Sequence, residues 1–131
     1  MKNILITGGS SGIGLNLIKT LISQKSFKII YTYNKNEVII NQNNCQCFKV
    51  DLTNKDEFNS FLFFLSELDV DILINNYHTG FIPMHSHKVD DKILLDGFTK
   101  NIIPTINLTN FFISKFRKKN QVKSSLSYLI H

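Results

Sequence analysis

The residues best suited to chemistry are concentrated in Thr7-Gly8-Gly9-Ser10-Ser11-Gly12-Ile13-Gly14. An apolar run, Ile4-Leu5-Ile6, precedes them, and Leu17, Ile18, Leu21 and Ile22 follow at helical spacing, so the glycines form a turn between a strand and a helix. Backbone N–H groups at a helix N-terminus have no partner within the helix and attract a phosphate. Residues without side chains let that phosphate approach and let helix and strand pack closely. Gly8, Gly12 and Gly14 are assigned to these jobs, with Ser10, Ser11 and Ile13 beside them as candidate binding positions. Glycine also serves tight turns for conformational reasons alone, and it is the placement between strand and helix that makes this turn informative.

The elements that must position the turn alternate along the chain. Lys2 to Thr7 reads as a buried parallel strand, Gly14 to about Ser23 as a helix, and Phe27 to Tyr33 as a second strand closed by the turn Asn34-Lys35-Asn36. After a polar loop, Asn41 to Asn44, a short strand from Cys47 to Val50 ends at Asp51. Thr53 is the predicted N-cap of a helix with Asp56 and Glu57 in its first turn and Phe58, Phe61, Leu62 and Leu65 on one face. Val70 to Ile74 reads as a fourth strand and Asn75 to about His87 as a loop. A long helical region then passes Ile102, Ile106 and Phe111 towards Lys118, and Pro104 is expected to kink or open it. Ser125 to Ile130 reads as a fifth strand. Strands alternating with helices predict one α/β domain over residues 1–131: a Rossmann-like three-layer fold with a parallel sheet covered on both faces, truncated at about the fifth strand.

Bulk properties narrow the function classes. Hydrophobic residues at 43% and charged residues at 19% place the chain among globular proteins and away from disordered ones. The formal charge of +5 owes much to Lys115, Arg117, Lys118, Lys119 and Lys123 near a helix end, where the helix dipole favours cations. With no aromatic-and-basic stripe, no nucleic-acid partner is expected. No apolar run is long enough to cross a bilayer and no signal peptide precedes the first strand, so a cytoplasmic protein without a membrane partner is expected. Cys45 and Cys47 are expected on opposite faces of a strand, as structural thiols that neither pair nor chelate. His78, His85 and His87 read as residues of a solvated loop rather than metal ligands.

The glycine turn resembles the T-G-x-x-x-G-x-G pattern of the short-chain dehydrogenase/reductase family, and three further matches follow in that family's order. Asp51-Leu52 after the third strand is similar to the family's adenine-binding aspartate, although Asp51 could equally end the strand and help cap the next helix. Asn75-Asn76 resembles the start of its N-N-A-G motif, whose asparagines brace the central strands and line the adenosine side. Lys100-Asn101-Ile102, with Leu108-Thr109, resembles the helix whose asparagine positions a water and the catalytic lysine, which makes Asn101 the implied catalytic position. The resemblance extends over essentially the whole chain.

Two departures bear on function. Tyr77-His78-Thr79-Gly80 replaces the family's Ala-Gly after the paired asparagines, which implies a reshaped loop near the nicotinamide ribose. The family's serine and Tyr-x-x-x-Lys cannot be assigned: Ser127 and Tyr128 lie inside the fifth strand run, and the +4 position of Tyr128 falls beyond His131. Lys35 after the second strand implies NADP(H) over NAD(H), since a basic residue there neutralises the 2′-phosphate, with Glu37 standing nearby. The expected function is therefore an oxidoreductase acting, when complete, on a small carbonyl or alcohol, and inactive as this chain alone. The alternative is a non-catalytic dinucleotide-binding or self-associating protein, the long helix resembling the family's subunit-contact helix.

Overall fold

The computed structural model describes residues 1–10, 12–78 and 86–118, together with the backbone of 129 and 130. In chain order the elements are β1 (Lys2–Ile6), α1 (Gly12–Ser23), β2 (Phe27–Tyr33), β3 (Cys45–Lys49), α2 (Lys55–Ser66) and β4 (Ile72–Ile74). A 3-10 turn (Ser86–Lys88), α3 (Asp91–Gly97), a π turn (Phe98–Ile102), α4 (Ile103–Lys118) and β5 (Leu129–Ile130) complete them. The five strands form one parallel sheet in the order β3-β2-β1-β4-β5. Strand order reverses between β1 and β4, and such a switch point opens a crevice at the carboxyl ends of the strands.

Alternation along β1 sorts the core into two layers. Ile4 and Ile6 face α1 and pack with Ile18, Ile22, Ile29 and Tyr31. Leu5 faces the other way, into a larger cluster built by Ile30, Leu73, Phe61 and Leu65 of α2, and Leu108, Phe112 and Phe116 of α4. This is the three-layer Rossmann-like α/β arrangement expected from the order of elements.

Local details differ from expectation for identifiable reasons. Helix α1 begins at Gly12, because the turn itself enters the helix. β3 begins at Cys45, whose pairing with Ile29 recruits the weakly patterned Cys45-Gln46 into the ladder, and β4 is shorter than expected, starting at Ile72. Asn54, not Thr53, caps α2: Asn54 Oδ1 accepts from the Asp56 and Glu57 N–H groups, each at 3.1 Å. The Thr53 hydroxyl is diverted, donating to Asp51 Oδ1 at 2.6 Å. Cys45 and Cys47 are free thiols, but they share one face and pack against the α1-side cluster, since residues two apart on a strand point the same way.

The opening expected at Pro104 takes the form of the π turn. Proline has no N–H to continue an i→i−4 ladder, and the Ile103 N–H bonds instead to the Phe98 carbonyl, five residues back. The second crossover, residues 34–44, contains no helix. The fifth strand is described only at residues 129 and 130, and Ser125, Ser127 and Tyr128 lie outside the described residues, as do Lys119 and Lys123.

Candidate functional site

The chain leaves β1 at Thr7 and folds back across the ends of β2 and β4. Thr7 is fully buried, and its hydroxyl oxygen accepts from the N–H groups of Asn76 and Tyr77, both at 3.1 Å. The Gly8 N–H donates to Thr32 Oγ1 at 3.0 Å and the Gly9 N–H to the Thr32 carbonyl at 2.9 Å. Asn76 Nδ2 donates to the Gly8 carbonyl at 3.0 Å. The turn is thus held from both sides, by β2 through Thr32 and by the β4 end through Asn76.

Its glycines do different jobs. Gly8 has φ +70°, a left-handed conformation that side chains rarely adopt. A Cβ on Gly14 would lie 2.3 Å from the Gly8 carbonyl oxygen and 2.6 Å from Asn76 Nδ2, so Gly14 is required for close approach of helix to turn. Gly12 differs: a Cβ there would meet nothing within 4 Å, which leaves open space in front of the α1 N-terminus. No acidic residue occupies the first turn of α1, so nothing there opposes an anion at the positive end of the helix dipole. Gly9 was not singled out by sequence, yet a Cβ on it would lie 2.5 Å from Ile18 Cδ1 and 2.7 Å from Tyr31 Cβ.

A cleft of about 410 Å³ opens beside the turn at the carboxyl ends of the strands, lined by Gly8, Ser10, Ile13, Asn76, Tyr77 and Lys35, among others. Of the residues marked from sequence, Gly8, Ser10, Ile13, Lys35 and Asn76 come together here, with Gly12 and Gly14 in the turn behind them. Ser11 lies outside the described residues, as does His85. His78 lines the cleft and His87 stands in the 3-10 turn. Thr32 and Val50 also line it, and no local sequence signal marks them, because they meet the turn only through the parallel pairing of the strands.

Asp51 lies two residues beyond β3, which ends at Lys49, and organises the approach to α2, with its Oδ1 accepting from the Thr53 N–H at 2.9 Å. Leu52 is buried in the core, 5% exposed, and does not line the cleft. Asn75 is also buried; its Nδ2 donates to Thr109 Oγ1 at 3.0 Å, tying the end of β4 to α4. Asn101 stands in the π turn, its Nδ2 donating to the Gly97 carbonyl and its own carbonyl accepting from Thr105 Oγ1, both at 3.0 Å. Burial, and then the nearby Asp51 carboxylate, push the Tyr77 phenol up to about 12, so it stays a neutral donor at the cleft. At the rim, burial followed by the Glu37 carboxylate that it hydrogen-bonds raises the Tyr33 phenol above its ordinary value.

The glycine turn therefore offers an anion both room and the positive end of a helix dipole. The short chain dehydrogenase family model matches residues 2–123, and the chain belongs to this family. A short chain dehydrogenase from Leptospira borgpetersenii serovar Hardjo-bovis with bound NAD+ superposes with a TM-score of 0.75 at 26% identity, over 92% of this chain and 48% of that one. A 4-hydroxyisoleucine dehydrogenase complexed with NADH and succinate gives 0.68 at 26% identity, over 88% and 53%. A protein described as a short-chain dehydrogenase/reductase from Burkholderia multivorans with bound NADP shares the fold, with a TM-score of 0.73 at 15% identity over 86% and 53%. The chain spans about half the length of the structures it matches. Among the described residues no helix is long and apolar enough to cross a membrane.

Proposed function

We propose that this chain is the dinucleotide-binding part of a cytoplasmic NAD(P)-dependent oxidoreductase that interconverts a small carbonyl compound and an alcohol, with NADP(H) preferred over NAD(H). The observation that carries the proposal is the glycine turn, braced by Thr32 and Asn76, with open space in front of the α1 N-terminus. Gly8, Ser10, Ser11, Gly12, Ile13 and Gly14 surround the pyrophosphate. Asp51 beyond β3 and Asn76 beyond β4 mark the adenosine side, while Leu52 and Asn75 support it from the buried side rather than touching the ligand. Asn101 takes the family's water-positioning place. The cofactor supplies or accepts the hydride.

Lys35 on the cleft rim supports NADP(H), since its ammonium can meet a 2′-phosphate, while Glu37 is engaged by Tyr33. Residues 1–131, which carry no assignable Tyr-x-x-x-Lys, bind the dinucleotide without turning it over. Calorimetric titration tests both parts: NADPH binds at least about tenfold more tightly than NADH, and K35E removes most of that difference, about 1.4 kcal/mol or more. Equal affinities would end the NADP(H) preference, and NADPH-dependent reduction by the purified chain would end the claim of inactivity.

A second reading, self-association, is favoured by one observation. Leu94, Leu95 and Phe98 are 60%, 66% and 52% exposed, and Ile102 and Ile106 continue the apolar surface into α4. In sedimentation velocity the chain is expected to associate with rising concentration and L95E to remain monomeric. A wild-type monomer throughout would dismiss this reading.

A further inference from the structure

Tyr77 brings an aromatic ring to the cleft where the family's pattern has alanine. Its backbone is fixed beyond β4: the N–H donates to Thr7 Oγ1 at 3.1 Å, and the Cα stands 3.1 Å from the place a Cβ on Gly8 would take. The ring packs against the core cluster that contains Val50 and Leu52, and the phenol lies close enough to Asp51 to feel its charge. Val50 and Asp51 follow β3, so the side chain runs from the β4 end across the strand ends towards β3. Half-buried, it turns its remaining surface to the cleft, which Val50 also lines.

The surroundings of the ring decide what it can recognise. The cleft keeps about 410 Å³ with Tyr77 in place, so the ring is a wall of the cleft and does not fill it. Asp51 does not line the cleft, and its Oδ1 is engaged by both the N–H and the hydroxyl of Thr53. Asn76, next to Tyr77, commits its Nδ2 to the Gly8 carbonyl. An aromatic face and a valine thus meet the ligand where the nearest carboxylate and amide N–H are already engaged, and a flat ring recognises another by stacking.

We propose that Tyr77 determines the base specificity of the cleft: its ring stacks on the base of the dinucleotide, so the base is held by its face and not by its hydrogen-bonding edge. The proposal deepens the dinucleotide reading and rests on it. Stacking tolerates changes at the edge, because every base has a π face. The site therefore takes purine dinucleotides as a class, and exchanging the exocyclic amine of adenine for an oxygen costs little affinity. Burial and the Asp51 carboxylate keep the phenol protonated at neutral pH, so the ring brings no negative charge towards the phosphates.

The test is calorimetric titration of the full chain with NADPH and with its hypoxanthine analogue, in wild type, Y77F and Y77A. Wild type is expected to bind the two ligands within about threefold of each other, and Y77A to bind both about tenfold more weakly. Y77F, which keeps the ring, should bind both as wild type does. A wider gap between the two ligands in wild type overturns the proposal, because the edge is then read. Y77A that binds as tightly as wild type, or more tightly, makes the ring a bystander or an obstacle, and Y77F that binds as weakly as Y77A moves the effect to the hydroxyl; either overturns it. Far-UV circular dichroism checks each variant, and Y77L, which keeps apolar bulk against Val50 without a flat face, replaces Y77A if that chain does not fold. NADPH that fails to bind wild type overturns the cleft reading itself, which the same titration distinguishes from the other failures.

Discussion

Gly12 and Gly14 show how one residue type serves two physical needs within a single turn. Gly14 is a packing glycine: its missing Cβ is the space in which the Gly8 carbonyl and the Asn76 amide stand. G14A is expected to cost roughly 2–3 kcal/mol, as overpacking does, and to lose dinucleotide binding with the turn that it displaces. Gly12 has φ +57° with nothing near its absent Cβ. G12A should cost only about 1 kcal/mol of backbone strain, yet weaken NADPH binding strongly, because the methyl stands where the phosphate approaches. Thermal unfolding alongside calorimetry separates the two, and equal losses of stability would contradict this division of labour. Both glycines are visible in the sequence as part of one pattern. Gly9 is not, because what it makes room for, Ile18 and Tyr31, comes from two other elements.

At the scale of elements, helix ends and crossovers carry the differences between pattern and structure. Asn54 holds the first turn of α2 through two backbone N–H groups, so N54A should lower stability by about 1 kcal/mol in denaturant unfolding. T53A should act only through the Asp51 loop and leave the helix end intact; a larger loss for T53A would restore Thr53 as the cap. Either residue type suits the position, and the choice turns on which side chain the backbone aims at the N–H groups. At the far end of α2, Lys115 of α4 donates to the Leu65 carbonyl at 2.5 Å and to the Leu68 carbonyl, clamping the two helices that cover one face. Burial lowers the Lys115 pKa, and Glu67 partly offsets it. A lysine in a basic helix end gives no sequence sign of such a clamp.

Across the whole molecule, two tyrosines on opposite faces of the sheet predict how stability responds to alkali. Burial, reinforced by Cys47, pushes Tyr31 up to about 12, and burial with Asp51 does the same for Tyr77. A phenol whose folded pKa is raised binds its proton longer in the native state than in the unfolded chain. Its contribution is complete below about pH 10 and is lost as pH rises towards 12, on the order of 2 kcal/mol for each. Denaturant unfolding between pH 9 and 12, with tyrosinate absorbance recorded in parallel, should show stability falling steeply across that window, and less steeply in Y31F/Y77F. An unchanged slope in the double variant would locate the alkaline loss elsewhere.

What the sequence by itself determined is the plan: strands and helices in order, the glycine turn between the first pair, and the family, because hydrophobic period and glycine spacing are local properties. Tertiary structure alone decided which residues meet at the cleft. Thr32 lies on β2, while Thr7 follows β1 and Asn76 and Tyr77 follow β4, and only the order β2-β1-β4 brings them around one turn. It also placed Cys45 and Cys47 together under a helix-free crossover, since a face of a sheet exists only once its strands have paired.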